Sequence, residues 1–167
     1  FYDVGSNLMV SDLVTVNLRN STSPYELVDN STVTLSTSGN GIVSFGGASV
    51  SGVPYYVQVL HRNALETWNA APVSFAASTL AYNFTTSDAQ AFGNNLVLKG
   101  TKYCAYSGDP NADGSIDVTD IVGIFNDASN FVSGYVITDL TGDDFVDVAD
   151  LSVGYNNSIN FVGVQIP

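Results

Sequence analysis

The sequence predicts a mainly β chain closed by a small α module, and three observations carry that prediction. Before Gly108, apolar and polar residues alternate with a period of two in short runs separated by Gly, Pro, Ser or Asn clusters, the pattern of half-buried strands. After it, one acidic twelve-residue pattern occurs twice, starting at Asp109 and again thirty residues later at Asp139. Each copy runs into a stretch with helical character, Val118 to Ser129 and Val148 to Ile159. The expected architecture is an antiparallel β-sandwich of Greek-key type over 1–107, followed by two loop-helix units over 108–167.

The strands follow in order. In "VTVNLR", Val14, Val16 and Leu18 face one way while Thr15, Asn17 and Arg19 face the other. Further strands are expected at Thr32 to Leu35, Gly41 to Phe45, Tyr55 to Leu60, Pro72 to Phe75, Leu80 to Phe84, Leu96 to Leu98 and Lys102 to Tyr106. "HRNALETW" (His61 to Trp68) reads as a loop at a strand end, with Trp68 packed over the sandwich. Cys104 stands alone, and a buried thiol is expected there.

In "DPNADGSIDVTD", oxygen-bearing side chains fall at positions 1, 3, 5, 9 and 12: Asp109, Asn111, Asp113, Asp117 and Asp120. Gly114 occupies the turn at position 6 and the Ser115 carbonyl would serve at position 7. Ca²⁺ requires this arrangement, because it takes about six to eight hard oxygen ligands from a chain that wraps sharply around it. Asp117 would reach the ion through a water. "DLTGDDFVDVAD" repeats the pattern with Asp139, Thr141, Asp143, the Phe145 carbonyl, Asp147 and Asp150. Thr141 is a neutral ligand and Asp144 replaces the turn glycine, so the first loop is expected to be the tighter of two Ca²⁺ sites. "FNDASNFV" (Phe125 to Val132) aligns with "YNNSINFV" (Tyr155 to Val162), which extends the duplication through the helices. Ten of the sixteen acidic residues lie between Asp109 and Asp150, with no Lys or Arg after Lys102. Without divalent ions those carboxylates would repel one another.

On these loops and helices, the segment from about Gly108 to Pro167 resembles a dockerin, the duplicated calcium-loop module of secreted bacterial proteins. The resemblance implies paired loop-helix units that fold with calcium and present a surface to a cohesin-like partner. Where cellulosomal dockerins commonly carry Ser-Thr after position 9, this chain has Val118-Thr119 and Val148-Ala149, with no basic residue further along. "GNGIVSFGGASVSGVPYYVQVLHR" (Gly39 to Arg62) is similar to a strand pair of prealbumin- and immunoglobulin-like sandwich modules. The order of sandwich and calcium repeats resembles the C-terminal regions of secreted bacterial surface proteins.

A net charge of −12, with Arg19, Arg62, Lys99 and Lys102 as the only cations, excludes nucleic acid as a partner. No apolar run approaches the roughly 20 residues of a membrane span. Asn20, Asn30, Asn83 and Asn156 begin N-x-S/T triplets and are glycosylation candidates. His61 is the only histidine, and with Arg62 and Glu66 it offers the one conceivable acid-base set; a packing role is expected instead, and no enzyme.

The function expected is a non-enzymatic extracellular structural protein, a calcium-stabilised subunit that assembles head-to-tail with copies of itself into a surface filament or layer. A missing strand before "FYDVG" would leave an open edge near Met9 to Arg19, filled by "FYDVG" or the tail "FVGVQIP" of a neighbour. The alternative is a carbohydrate-binding or docking module of a larger secreted enzyme, with Tyr55, Tyr56, Tyr82 and Tyr103 as candidates to stack on glycans.

Overall fold

The computed structural model describes residues 11–46 and 52–167. The chain is mainly β, with antiparallel sheets and two helices, as the sequence predicts. Among the described residues seven strands, β1 (Asp12–Asn20), β2 (Leu27–Leu35), β3 (Pro54–His61), β4 (Ala64–Trp68), β5 (Val73–Ser74), β6 (Val97–Lys99) and β7 (Lys102–Cys104), precede α1 (Val118–Ser129) and α2 (Val148–Ser158). The larger sheet has the order β2-β1-β3-β4, with β5 on the start of β3, and β6-β7 form a second, two-stranded sheet. Because β1 lies between β2 and β3, the connection from β2 to β3 crosses it.

The alternation expected in β1 is realised. Leu18 sits in one core with Tyr55 and Val57, and Val16, Val59, Phe45, Phe75 and Leu80 pack against them. The opposite face is closed by polar pairing. Asn17 and Gln58 are cross-strand partners; the Gln58 Oε1 accepts from Asn17 Nδ2 at 2.7 Å and from Arg19 Nε at 2.9 Å. Gln58 Nε2 donates to Glu66 at 2.5 Å, and the other Glu66 oxygen accepts from the Trp68 indole at 2.9 Å. Each buried polar group in this row thus finds a partner, which is the condition for burying it.

Several expectations are corrected. Gly41 to Phe45 and Leu80 to Phe84 are not strands, although Phe45 and Leu80 still cover the core. "ALETW" is a strand and not a loop, because pairing with β3 overrides its helix-forming residues. Tyr55 and Tyr56 are buried in the sandwich and Tyr82 donates its hydroxyl to the Gln90 carbonyl at 2.5 Å, so no exposed row of tyrosines forms with Tyr103. Cys104 is exposed, since the alternation of β7 turns Tyr103 inward instead. β1 is paired along both edges from Val14 to Arg19, so no groove opens there; Met9, Val10 and the "FYDVG" donor lie outside the described residues. The tail folds back on its own chain, with Ile116 N–H donating to Val162 O at 2.9 Å and Val164 N–H to Gly114 O at 2.8 Å.

Candidate functional site

Each acidic loop is shaped by its own side chains. Asp109 accepts from the amides of Asp113 and Gly114, each at 3.1 Å, and Asp139 accepts from those of Gly142, Asp143 and Asp144 at 2.7, 3.3 and 3.2 Å. Asn111 Oδ1 takes the Asp113 amide at 2.9 Å; Asp113 and Asp143 take those of Ser115 and Phe145 at 2.9 and 3.1 Å. Thr141 Oγ1 reaches Asp139 at 3.4 Å. Both loops turn through left-handed backbone at positions 4 and 6, Ala112 (φ 57°) and Gly114 (φ 87°), Gly142 (φ 78°) and Asp144 (φ 68°). Asp144 therefore adopts the conformation of the glycine it replaces, which Asp does more readily than most residues.

Asp117 and Asp147 are helix N-caps, accepting from Thr119 N–H at 2.7 Å and Ala149 N–H at 2.6 Å. Asp120 and Asp150 complete capping boxes by accepting from the Asp117 and Asp147 amides, both at 2.9 Å. The loops interlock crosswise. Ser115 bridges to Gly163 after α2, and Phe145 bridges to Ser133 after α1. The first bridge uses Gly114 O and Ile116 N, and the second Asp144 O and Val146 N, so neither involves the Ser115 or Phe145 carbonyl.

The two position-12 carboxylates differ. Asp150 Oδ1 accepts from Leu140 N–H at 2.7 Å and Thr141 N–H at 2.8 Å. Asp120 is 1% exposed, and its Oδ1 makes no hydrogen bond of good geometry, although the Asn111 amide lies near enough to favour its charged form. Proline explains one of the two bonds: position 2 of the first loop is Pro110, which has no N–H to give where Leu140 has one, while the Asn111 amide at position 3 is still present beside Asp120. Burial pushes the Asp120 carboxyl up, with the Asp109 and Asp113 charges adding to it, and burial also raises Asp109 and Asp150. Among the described residues no three His, Cys, Asp or Glu side chains converge as a finished metal centre. The donor set nevertheless fits a hard cation in the first loop. It combines Asp, Asn and a backbone carbonyl with a buried oxygen that has no well-formed hydrogen bond.

Beside the loops, the helices present side chains at matched positions, apolar or aromatic except for Ser152. Ile121, Val122 and Phe125 of α1 line a groove with Leu151, Ser152 and Tyr155 of α2, equivalent positions of the two repeats. Phe125 and Tyr155 are each 55% exposed, and Val118 and Val148 are more so. In the sequence Phe125 and Tyr155 serve only to align the repeats. Their outward direction is nonetheless legible in the helical period, since Ile124, one position earlier, is buried in the core with Leu140 and Val146.

The other nominated residues divide. His61 Nε2 lies 3.1 Å from Asp12, while Glu66 belongs to the Gln58–Trp68 row, so the conceivable acid-base set is split between two networks. Burial lowers the His61 pKa despite Asp12. Asn30, Asn83 and Asn156 are exposed and Asn20 is half-buried at the end of β1.

No family model and no curated protein matches the chain. A chain in a crystal structure of a type II cohesin–X-dockerin complex from Acetivibrio cellulolyticus, a C-terminal interface mutant, is similar in fold, with a TM-score of 0.55 and 17% identity over 99% of this chain and 90% of that one. A chain in the N-terminal interface mutant of that complex gives a TM-score of 0.48 and 18% identity over 87% of this chain and 80% of that one. The first likeness takes in the sheet and the helices together.

Proposed function

We propose that this chain is a non-enzymatic, calcium-stabilised docking module of a larger extracellular assembly. A sandwich module, 1–107, carries a dockerin-like module, 108–167, whose paired helix face binds a cohesin-like protein. The observation that carries the reading is the groove between α1 and α2, lined at equivalent positions of both repeats and exposing Phe125 and Tyr155. Aromatic residues on an otherwise small module are the anchors that protein interfaces favour. The structural neighbour belongs to a cohesin–X-dockerin complex, which is in keeping with such a partner. No helix among the described residues is long and apolar enough to cross a membrane.

Two Ca²⁺ ions are assigned to the loops. Asp109, Asn111, Asp113, the Ser115 carbonyl and Asp120 would hold the first, with Asp117 behind a water. Asp139, Thr141, Asp143, the Phe145 carbonyl and Asp150 would hold the second, with Asp147 in the outer place. Calcium would supply the positive charge that this lysine- and arginine-free segment lacks, and so draw the loops tight beneath the helix face. Filament growth by strand donation has no support at β1, whose edges are both paired from Val14 to Arg19.

The test is calorimetric titration of the whole chain with a recombinant type II cohesin. Binding is expected with calcium, abolished by EDTA, and weakened about thirtyfold or more by Phe125→Asp or Tyr155→Asp. Absence of binding in calcium, or binding indifferent to both substitutions, overturns the docking assignment. Light scattering that shows calcium-dependent polymers instead would restore the filament.

A further inference from the structure

The β3–β4 turn, His61 to Ala64, reaches the start of both acidic loops. Asn63, fully buried, donates from Nδ2 to the Asp139 carbonyl at 2.7 Å, and its own carbonyl accepts from the Gly108 and Asp109 amides at 2.8 and 3.2 Å. Beside it the Arg62 side chain is 11% exposed. Its guanidinium donates from Nε to Asp12 at 3.2 Å and from Nη1 to the Val136 carbonyl, and it lies 4.5 Å from the centre of the Tyr135 ring. Its Nη2 stands 3.8 Å from Oδ2 of Asp139, the position-1 ligand of the second loop. No ion pair of this kind reaches the first loop among the described residues.

We propose that Arg62 is a built-in cation of the second loop, held there by the sandwich, and that it makes the two calcium sites unequal. This rests on the calcium assignment made under the proposed function. Two independent features point the same way. In the second loop Asp139 has a guanidinium and Asp150 has the Leu140 and Thr141 amides, so its carboxylates are largely satisfied by the protein. In the first loop Asp120 Oδ1 is buried without a well-formed hydrogen bond and no guanidinium approaches Asp109. An ion entering the first loop relieves a cost; one entering the second meets a fixed positive charge close by and must share Asp139 with it. Arg62 is a positioning residue for the metal site and not a ligand, and it links the sandwich to the state of the second loop.

The test is calcium titration of the full chain at constant ionic strength, followed by competition with a chromophoric chelator. Asp113→Asn and Asp143→Asn identify the first- and second-loop steps. In the wild type the first-loop step is expected to be the tighter. Arg62→Met, which keeps the stem and removes the charge, and Arg62→Gln are both expected to strengthen the second-loop step, on the order of tenfold, and to leave the first unchanged. Arg62→Lys, which keeps the charge, is expected to titrate like the wild type. A second-loop step unmoved or weakened in both neutral variants overturns the proposal, as does an equal shift of both steps. If the wild type binds no calcium, the calcium assignment fails and the proposal with it; two wild-type steps with no response to Arg62 refute the proposal alone.

Discussion

Substituting Asp120 by Asn should change the sign of its effect on stability according to whether calcium is present. Asn is nearly the same shape, and its side-chain oxygen can still accept from the Asp117 amide and preserve the capping box. It removes a carboxylate charge that is 1% exposed and has one oxygen without a well-formed hydrogen bond. An unsatisfied buried polar group costs about 1–3 kcal/mol, and more when charged. In EDTA at neutral pH the Asn variant should therefore be more stable than the wild type by about that amount, several degrees in Tm for a chain of this size. In calcium it should be less stable, because a ligand charge is lost. The advantage in EDTA should shrink as pH falls. Burial raises the folded carboxyl pKa, so the folded wild type takes up its proton before the unfolded chain does and sheds the penalty. Urea unfolding with and without calcium, at several pH values, measures all three effects. Destabilisation of equal size in EDTA and in calcium would show that the buried carboxylate is not waiting for a cation.

Chelation should increase hydrogen exchange across 109–150, read by mass spectrometry, since on the proposed calcium assignment ion binding would contribute to the folding of that segment; exchange indifferent to EDTA would contradict this. Ile124→Ala, at a fully buried position against Leu140 and Val146, should cost about 2–5 kcal/mol in urea unfolding at fixed calcium. Gly154→Ala would place a Cβ 2.9 Å from Ile124 Cδ1 and 3.0 Å from Ile121 Cδ1, and should destabilise by about 1–3 kcal/mol through overpacking between the helices. His61 is held neutral in the fold by burial, so its contribution is complete above the ordinary histidine pKa of about 6.5 and declines as pH falls from there towards the lowered folded value. His61→Gln should flatten stability over that window, and an unchanged slope would refute the assignment.

The helical half was readable because its signals are local. Loop-turn spacing, capping-box aspartates and the helical period all act within a dozen residues, and the expected Val118 to Ser129 is α1 as found, with α2 ending one residue before the expected Ile159. Even the unequal position-12 carboxylates have a sequence signal, in Pro110 against Leu140. The sheet was less legible. β4 carries Leu and Glu, which favour helix, and owes its conformation to a bulged pairing with β3. β2 begins at Leu27, well before the alternating Thr32 to Leu35, because pairing along β1 extends it through the polar "DNS". Gly41 to Phe45 alternates as a strand would, yet contributes a core side chain without joining a ladder. The role of Arg62 depends on a partner seventy-seven residues away in the chain, a distance over which periodicity carries no information.

Asn63 bears on how this chain can be taken apart. Its side chain and carbonyl supply bonds to Asp139, Gly108 and Asp109 from the tip of a hairpin that belongs to the sheet. A chimera joined at residue 107 would separate those partners, leaving in the transplanted piece two amides and a carbonyl that had been closed off from water. Protein engineers who want the acidic loops on a new carrier would do better to move the hairpin with them, or to rebuild its turn on the recipient. The unit of exchange is set by where backbone groups find their partners, and here that unit begins at β3.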